Sequence, residues 1–235
     1  MATPHTPKFT ADLLLSYSEG ALFNAKQLLV EAFLLLDHDH NARAYFLAVA
    51  CIEEAGKALL AFDPQKRNLS DPAVCTKLKA KMESHEQKIT YAIGIWAMNS
   101  SEPRGAVVVA LDLIFHLQSG REPSMYSDLR INPDRVETPP EVVRASAAKD
   151  CVRLAENALA YADRHVKERV PLQFTPDQDK LFTMKSGKFQ EMLNNADFWW
   201  YYLSRLEAGK LDIAEVVYGY ERDYIKTGVL FRVEQ

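Results

Sequence analysis

The chain has 235 residues, and its 28 Lys and Arg residues against 32 Asp and Glu residues give a net charge of -4 at pH 7. This balance argues against broad electrostatic binding to nucleic acid and leaves only a local basic patch as a route to such binding. A hydrophobic content of 48% is enough for a sizeable core.

Features that direct a chain to another compartment are not evident. The N-terminal segment lacks a basic region followed by an apolar run, and no uncharged apolar stretch approaches the roughly 18 residues of a membrane-spanning helix. Cys51, Cys75 and Cys151 are odd in number and far apart, which is typical of free thiols in a reducing compartment. We therefore expect a soluble cytoplasmic protein without a membrane partner.

Helical periodicity begins after Thr10, a plausible N-cap, and predicts a first helix that extends to about Leu36. The polar segment DHDHNAR, from Asp37 to Arg43, follows it. Its alternating Asp and His residues could ligate a metal, but a capped turn is the favoured interpretation.

A central helix is predicted from Asn41 to Phe62, because this stretch is apolar on nearly every side. Glu53, Glu54 and Lys57 fall within it, and buried carboxylates need partners. Lys57 stands four residues after Glu53 and three after Glu54, so it can pair with either. Gly56 suggests that another backbone approaches the helix closely. The spacing alone leaves a structural ion pair and a functional site equally open.

The next helix is predicted from about Asp71 to Met98 and carries His85 and Lys88. A histidine on an apolar helix face is more often a hydrogen-bonded core residue than a catalyst. A fourth helix, roughly Arg104 to Gln118, places Asp112 and His116 four residues apart. That spacing suits a metal, although a buried Asp–His hydrogen bond is the favoured interpretation.

The stretch from Ser119 to Pro140 has no periodicity and predicts a long loop, with no convincing strand pair. Arg121, Tyr126 and Arg130 could cover a site or bind phosphate there, which makes them candidate substrate-binding residues; a plain connection is the alternative. A fifth helix is predicted from Pro140 to Val170.

The C-terminal part is predicted to be a linker followed by one or two further helices. Its aromatic segment from Phe198 to Leu203 should pack on the core or on a partner subunit. The predicted organisation is thus an all-α helical domain over residues 1–170 and a helical extension over 171–235.

Signatures of several enzyme classes are missing: there is no phosphate-binding glycine loop, no GxSxG, no paired CxxC, no HExxH and no pair of Glu-x-x-His motifs. No metal or other cofactor is predicted. Five polar residues remain on two helices that should pack face to face: Glu53, Glu54, Lys57, His85 and Lys88. A histidine beside lysines could move a proton while the cations hold a phosphate, as metal-free RNA cleavage by the 2′-hydroxyl requires.

These residues carry a resemblance to a known family. The segment EEAGK, Glu53 to Lys57, followed about thirty residues later by HEQK, His85 to Lys88, resembles the AbiV family of bacterial abortive-infection proteins. The loop REPSMYSDL, Arg121 to Leu129, and the Ala-rich helix after it resemble the later half of the same family. Together the similarity covers roughly residues 13–170.

The resemblance implies an all-α fold of the HEPN type, with about five core helices, and a role in phage resistance. Many HEPN relatives are homodimeric, metal-independent ribonucleases with an Arg-x4-6-His motif. This chain departs from that motif, because none of its arginines stands at the required distance before a histidine. Lys79 comes nearest, with five residues between it and His85, but lysine lacks the planar fork that grips phosphate.

Two hypotheses follow from the sequence. In the first, the chain is an AbiV-like antiviral defence protein, a homodimer that acts on RNA or translation; as a metal-independent endoribonuclease it would use His85 as acid and base, with Lys57 and Lys88 holding phosphate. In the second, the Glu, Lys and His cluster is a structural network, and the chain is a binding module that recognises a phage or host protein through its aromatic C-terminal region.

Overall fold

The computed structural model describes residues 7–131, 134–210 and 212–233. The chain forms two compact units. The first contains residues 9–65 and 78–172, and the second contains residues 66–77 and the described residues from 173 onward, together with residues 7 and 8. The predicted boundary lies at residue 170, close to where the second unit resumes at residue 173, and residues 66–77 belong to the second unit although they precede that boundary in sequence.

The first unit is built from helices, as predicted, and the fold is all-α. Its elements, with the helix α3 that begins in the other unit, are α1 (Ala11–Asp37), α2 (Asn41–Phe62), α3 (Pro72–Glu83), α4 (His85–Met98), α5 (Pro103–Gly120), β1 (Asp128–Ile131), β2 (Asp134–Glu137), α6 (Pro139–Val142) and α7 (Ala145–Glu168). Thr10 caps α1 by accepting a hydrogen bond from the Leu13 backbone N–H, as its position predicts.

Helix α2 is the centre of this unit and packs against α1, α4 and α7. Val49, Ile52 and Leu59 are at most 1% exposed, which confirms that the apolar sequence is buried on several sides. Gly56 lies against the backbone of α4. A Cβ atom at this position would stand 2.8 Å from the carbonyl carbon of Lys88 and 3.2 Å from Cβ of Ala92, so only glycine permits this approach.

The helix predicted from Asp71 to Met98 is in fact two helices, α3 and α4. Ser84 separates them, because its side chain accepts a hydrogen bond from the Gln87 backbone N–H and so caps α4. A Ser followed three residues later by Gln is a helix-start signature that could have revealed this break.

The predicted loop before α7 contains a short antiparallel hairpin, β1 and β2, so the prediction that this stretch has no strand pair was wrong. Its strands are four residues long and mostly exposed, which explains why they lack the apolar alternation of a half-buried strand. Helix α7 also begins later than predicted, at Ala145, after the separate short helix α6 that starts with two prolines.

The described part of the C-terminal unit has four α-helices rather than one or two: α8 (Pro176–Thr183), α9 (Ser186–Leu193), α10 (Ala196–Glu207) and α11 (Ile213–Tyr220). The aromatic segment lies on α10 and is only partly buried. Phe198 and Tyr201 are at most 4% exposed and pack with Tyr220 in the core of this unit, whereas Trp199 and Trp200 are 43% and 49% exposed.

The thiols of Cys51, Cys75 and Cys151 are buried and free, as expected. Over the described ranges, no helix combines the length and apolarity that crossing a bilayer demands.

The close approach at Gly56 predicts the effect of adding one methyl group. Gly56→Ala should destabilise the protein by about 1 to 3 kcal/mol, because the new Cβ must push α4 away from α2. The matched control is Gly20→Ala in α1, where a Cβ meets nothing within 4 Å; it should stabilise by about 0.5 to 1 kcal/mol. Urea unfolding measures both, and equal stabilities for the two variants would contradict the close packing of α2 on α4.

Candidate functional site

The carboxylate of Glu53 is 4% exposed and has three basic partners in the first unit. His85 Nδ1 lies 2.6 Å from one of its oxygens, and Lys88 Nζ lies 3.1 Å from the same oxygen. Arg121 Nε donates to the other oxygen at 2.7 Å. Three basic side chains from α4 and from the end of α5 therefore meet on one buried acid of α2.

These partners decide the charge of Glu53. Burial would raise the pKa of this carboxyl, but the hydrogen bonds from His85 and Lys88 and the charges of Lys88 and Arg121 outweigh it, so the pKa falls below its ordinary value. Glu53 is therefore a carboxylate at neutral pH. An ionised carboxylate only accepts hydrogen bonds, so His85 Nδ1 must carry the proton that it shares with Glu53.

Local sequence positions the three partners. Ser84 starts α4 so that His85 is its first residue and Lys88 lies one turn later, on the face toward α2. Gly56 allows the backbone of Lys88 to touch α2. Arg121 follows directly after α5 ends, which lets its side chain reach back to the middle of α2.

His85 differs from the other partners because its side chain is 55% exposed, whereas that of Lys88 is 7% exposed. With Nδ1 fixed on Glu53, Nε2 is the ring nitrogen left to act as an acceptor. His85 and Arg121 line a cleft of about 730 Å³ between the start of α4 and the segment after α5. Tyr126 also lines the cleft and is 64% exposed.

The cleft is acidic at its rim. Four carboxylate residues line it against a single arginine, Arg121; they are Glu83, Glu86, Glu122 and Asp128. Glu83 is partly neutralised from outside, since Lys79 Nζ lies 3.6 Å from it. The rim therefore opposes extended contact with a polyanion, whereas the cations Lys88 and Arg121 lie around Glu53.

The other predicted site residues lie elsewhere. Lys57 forms an ion pair with Glu54 rather than with Glu53, and in the described chain neither residue lines the cleft. Arg130 lies on β1, where its Nε donates to Glu137 on β2 at 2.7 Å. Of the three loop residues, Arg121 and Tyr126 join the cleft and Arg130 does not.

The Asp and His residues that the sequence offered as metal ligands on α5 do not form a buried site. Asp112 and His116 have side chains that are 76% and 64% exposed, so the buried hydrogen bond predicted for them is wrong; His116 Nδ1 instead contacts the Asp112 carbonyl oxygen at 2.8 Å. A buried Asp–His hydrogen bond forms between Asp63 and His165, at 2.7 Å. Among the described residues, no three His, Cys, Asp or Glu side chains are arranged to hold a metal ion.

The contact between Arg121 and Glu53 was not foreseen, because 68 positions separate the two residues and no local pattern links them. The sequence predicted that Arg121 lies in a loop, but it did not indicate toward which helix the side chain extends. The sequence indicated that the buried carboxylate of Glu53 needs a cationic partner, but it did not indicate which of several arginines is that partner.

Removing the charge of Glu53 should show how much the stability of the first unit depends on that charge. Glu53→Gln should destabilise the protein at pH 7 by about 3 kcal/mol, because it leaves Lys88 buried without its counter-charge. The control Glu54→Gln breaks only the pair with Lys57 and should cost about 1 kcal/mol or less. Urea unfolding measures both variants.

The pH dependence provides a further check. Because the pKa of Glu53 is lowered in the folded state, its contribution is fully present above its ordinary value of 4.5 and is lost as the pH falls through the lowered pKa. The difference in unfolding free energy between wild type and Glu53→Gln should therefore shrink below pH 4.5. A difference that stays constant down to acid denaturation would show that Glu53 is not ionised in the fold.

Comparison with known proteins agrees with this architecture. No curated protein and no solved structure matches the chain. A family model does match: HEPN_AbiV, described as AbiV, covers residues 14–160 and so includes most of α1, all elements from α2 to α6, and most of α7. This match covers more than half of the chain and includes Glu53, His85, Lys88 and Arg121. The chain therefore belongs to the AbiV family, the HEPN-type helical proteins of abortive-infection phage defence.

Proposed function

We propose that this protein acts in phage defence as a metal-independent endoribonuclease, with His85 as general acid and base. Family membership supports the defence role. The observation that carries the chemistry is the half-exposed imidazole of His85, which is fixed by the buried carboxylate of Glu53 beside Arg121 in a cleft. A carboxylate that orients a histidine is a recurrent arrangement for proton transfer.

The proposed reaction uses the 2′-hydroxyl of the RNA as nucleophile. His85 Nε2 takes the hydroxyl proton, the oxygen attacks the adjacent phosphorus, and the bond to the 5′-oxygen breaks. The protonated His85 returns the proton to that oxygen, which gives a 2′,3′-cyclic phosphate and a free 5′-hydroxyl. Glu53 keeps Nδ1 protonated and stabilises the imidazolium formed between the two transfers.

Arg121 is the cation placed to meet the phosphate. Its Nε is occupied by Glu53, and the side chain is 22% exposed at the cleft. Its terminal nitrogens can donate to phosphate oxygens in the planar arrangement that lysine cannot offer. In this proposal Lys88 holds Glu53, Lys57 and Glu54 support α2 from outside the cleft, and Tyr126 offers an exposed ring on which a base can stack.

A second candidate function rests on the acidic rim of the cleft. Four carboxylates disfavour a long polyanion and favour a cationic partner, such as a basic segment of a phage or host protein. In this interpretation the contacts of Glu53 are structural, and His85 has no chemical role.

We also propose that the protein is a cytoplasmic homodimer. Helix α5 packs on α4 and leaves an apolar stripe in solvent at helical spacing. Val108, Leu111 and Phe115 in this stripe are 66%, 64% and 67% exposed. Such a continuous apolar face supports burial against a second copy of the chain.

The ribonuclease proposal predicts a large effect of one substitution. In the presence of EDTA, wild type should cleave single-stranded RNA into products that end in a 2′,3′-cyclic phosphate. His85→Ala should slow this cleavage by about 10²- to 10⁴-fold, the usual contribution of a general acid and base. The ends of the products can be identified by mass spectrometry.

The matched control is His38→Ala, since His38 is an exposed histidine at the end of α1, outside the cleft. It should cleave at the wild-type rate, and circular dichroism should show that both variants are folded. Equal rates for wild type and folded His85→Ala would rule out His85 as the catalyst. Absence of cleavage by wild type, combined with binding of a lysine-rich peptide that Glu122→Gln and Asp128→Asn weaken, would favour the second candidate.

The dimer proposal predicts the effect of placing a charge in the apolar stripe of α5. Leu111→Lys should weaken self-association by about 10-fold or more, because the ammonium would lose its water in the interface. Leu129→Lys is the control, since Leu129 is 68% exposed on the hairpin and lies outside the stripe. Sedimentation equilibrium measures both, and a wild type that is monomeric at high concentration would contradict the proposal.

A further inference from the structure

A second cavity lies in the first unit and shares the lining residues Ser119 and Pro123 with the His85 cleft. Its volume is about 740 Å³, within the range of small-molecule sites. Most of its wall is apolar and comes from α2, α4, α5 and the region of α6 and α7. The apolar lining includes Tyr45, Trp96, Leu113, Leu117, Val143 and Leu154.

The wall of this cavity is held in place by packing and hydrogen bonding. The Tyr45 hydroxyl donates to the His116 carbonyl oxygen at 3.3 Å. Tyr45 also lies under Gly120, where an added Cβ would stand 2.6 Å from the Tyr45 oxygen. Burial raises the pKa of Tyr45, so its hydroxyl remains neutral. A preformed apolar wall with few polar groups is the usual form of a binding site for an organic molecule.

The mouth of the cavity has the opposite charge character to the His85 cleft. Arg130, Arg153 and His116 line it against one carboxylate, that of Asp150. The two arginine side chains are 51% and 74% exposed, so they lie at the opening rather than in the apolar interior. Arg153 donates to Asp150 at 3.1 Å and Arg130 donates to Glu137 at 2.7 Å. Each guanidinium has five N–H donors, so those not used in these pairs can donate to an anionic head group at the opening.

We propose that this cavity binds a small organic anion, whose aromatic or branched aliphatic body lies against Trp96 and Leu113 and whose acid group lies at Arg130 and Arg153. The apolar interior and the cationic mouth together favour this class of ligand over a neutral or cationic one. Apart from Ser119 and Pro123, its lining residues differ from those of the His85 cleft, and the proposal does not depend on ribonuclease activity. It gives Arg130, which lies outside that cleft, a binding role of its own.

The probe for this proposal is 8-anilinonaphthalene-1-sulfonate, which has an aromatic body and one sulfonate. Its binding to the folded, full-length protein can be followed by its own fluorescence and by quenching of Trp96. One probe molecule should bind per chain with saturation, and Trp96→Phe should remove the energy transfer from that residue. Thermal unfolding should shift upward with the probe concentration.

Filling the cavity tests its location. Ala147 and Asn157 are exposed residues of α7 that line the cavity, so Ala147→Phe or Asn157→Phe should place a ring in it and weaken probe binding about 10-fold or more. Ser146→Phe is the control, because Ser146 is an exposed neighbour of Ala147 on α7 and is not part of the lining. It should bind the probe within about twofold of wild type.

The charge requirement is tested with N-phenyl-1-naphthylamine, a probe of similar shape without the sulfonate. Arg130→Gln combined with Arg153→Gln should weaken binding of the sulfonate probe about 10-fold and leave binding of the neutral probe unchanged. Wild-type affinity for the sulfonate probe in both folded filling variants would overturn the location. Equal effects of the arginine substitutions on the two probes would overturn the preference for an anion.

Discussion

One buried carboxylate constrains the arrangement of the first unit. The sequence of α2 is apolar on nearly every side, so this helix lies in the middle of the bundle and takes Glu53 into the core with it. An isolated charge there would be too costly, so cations must be supplied. Lys88 supplies one from α4 and Arg121 supplies one from the end of α5, and His85 adds a hydrogen bond from its Nδ1. The positions of three chain segments are thereby tied to a single side chain.

The same interaction creates the candidate site. Because Glu53 accepts the Nδ1 proton of His85, it fixes the tautomer of an imidazole that is otherwise half in solvent. Arg121 is held beside that ring by the same carboxylate. A residue that looks structural is therefore also the one that orients the groups capable of chemistry, which is why the structural and functional interpretations of this cluster could not be separated by spacing.

Two concave regions of opposite character adjoin the segment after α5. The His85 cleft has an acidic rim and a charged interior, whereas the second cavity has an apolar interior and arginines at its mouth. Ser119 and Pro123 line both of them, and Arg121 lies between these two residues in sequence. The short segment from Ser119 to Pro123 therefore contributes to the walls of both regions.

The sequence by itself determined the helical class, the cap at Thr10, the bounds of α2 and the family, because these rest on periodicity, local capping and the short motifs EEAGK and HEQK. It also indicated a close backbone approach at Gly56, since a glycine weakens a buried helix unless a neighbouring backbone needs the space of its missing side chain. It could not determine that Arg121 is an ion-pair partner of Glu53, nor that Arg130 pairs with Glu137 outside the His85 cleft. Those outcomes depend on contacts between residues distant in sequence, which only tertiary packing brings together. The exposure of His85 was likewise decided by packing. A helix pattern predicts which face of the helix a residue occupies, but not how much of its side chain the neighbouring segments cover.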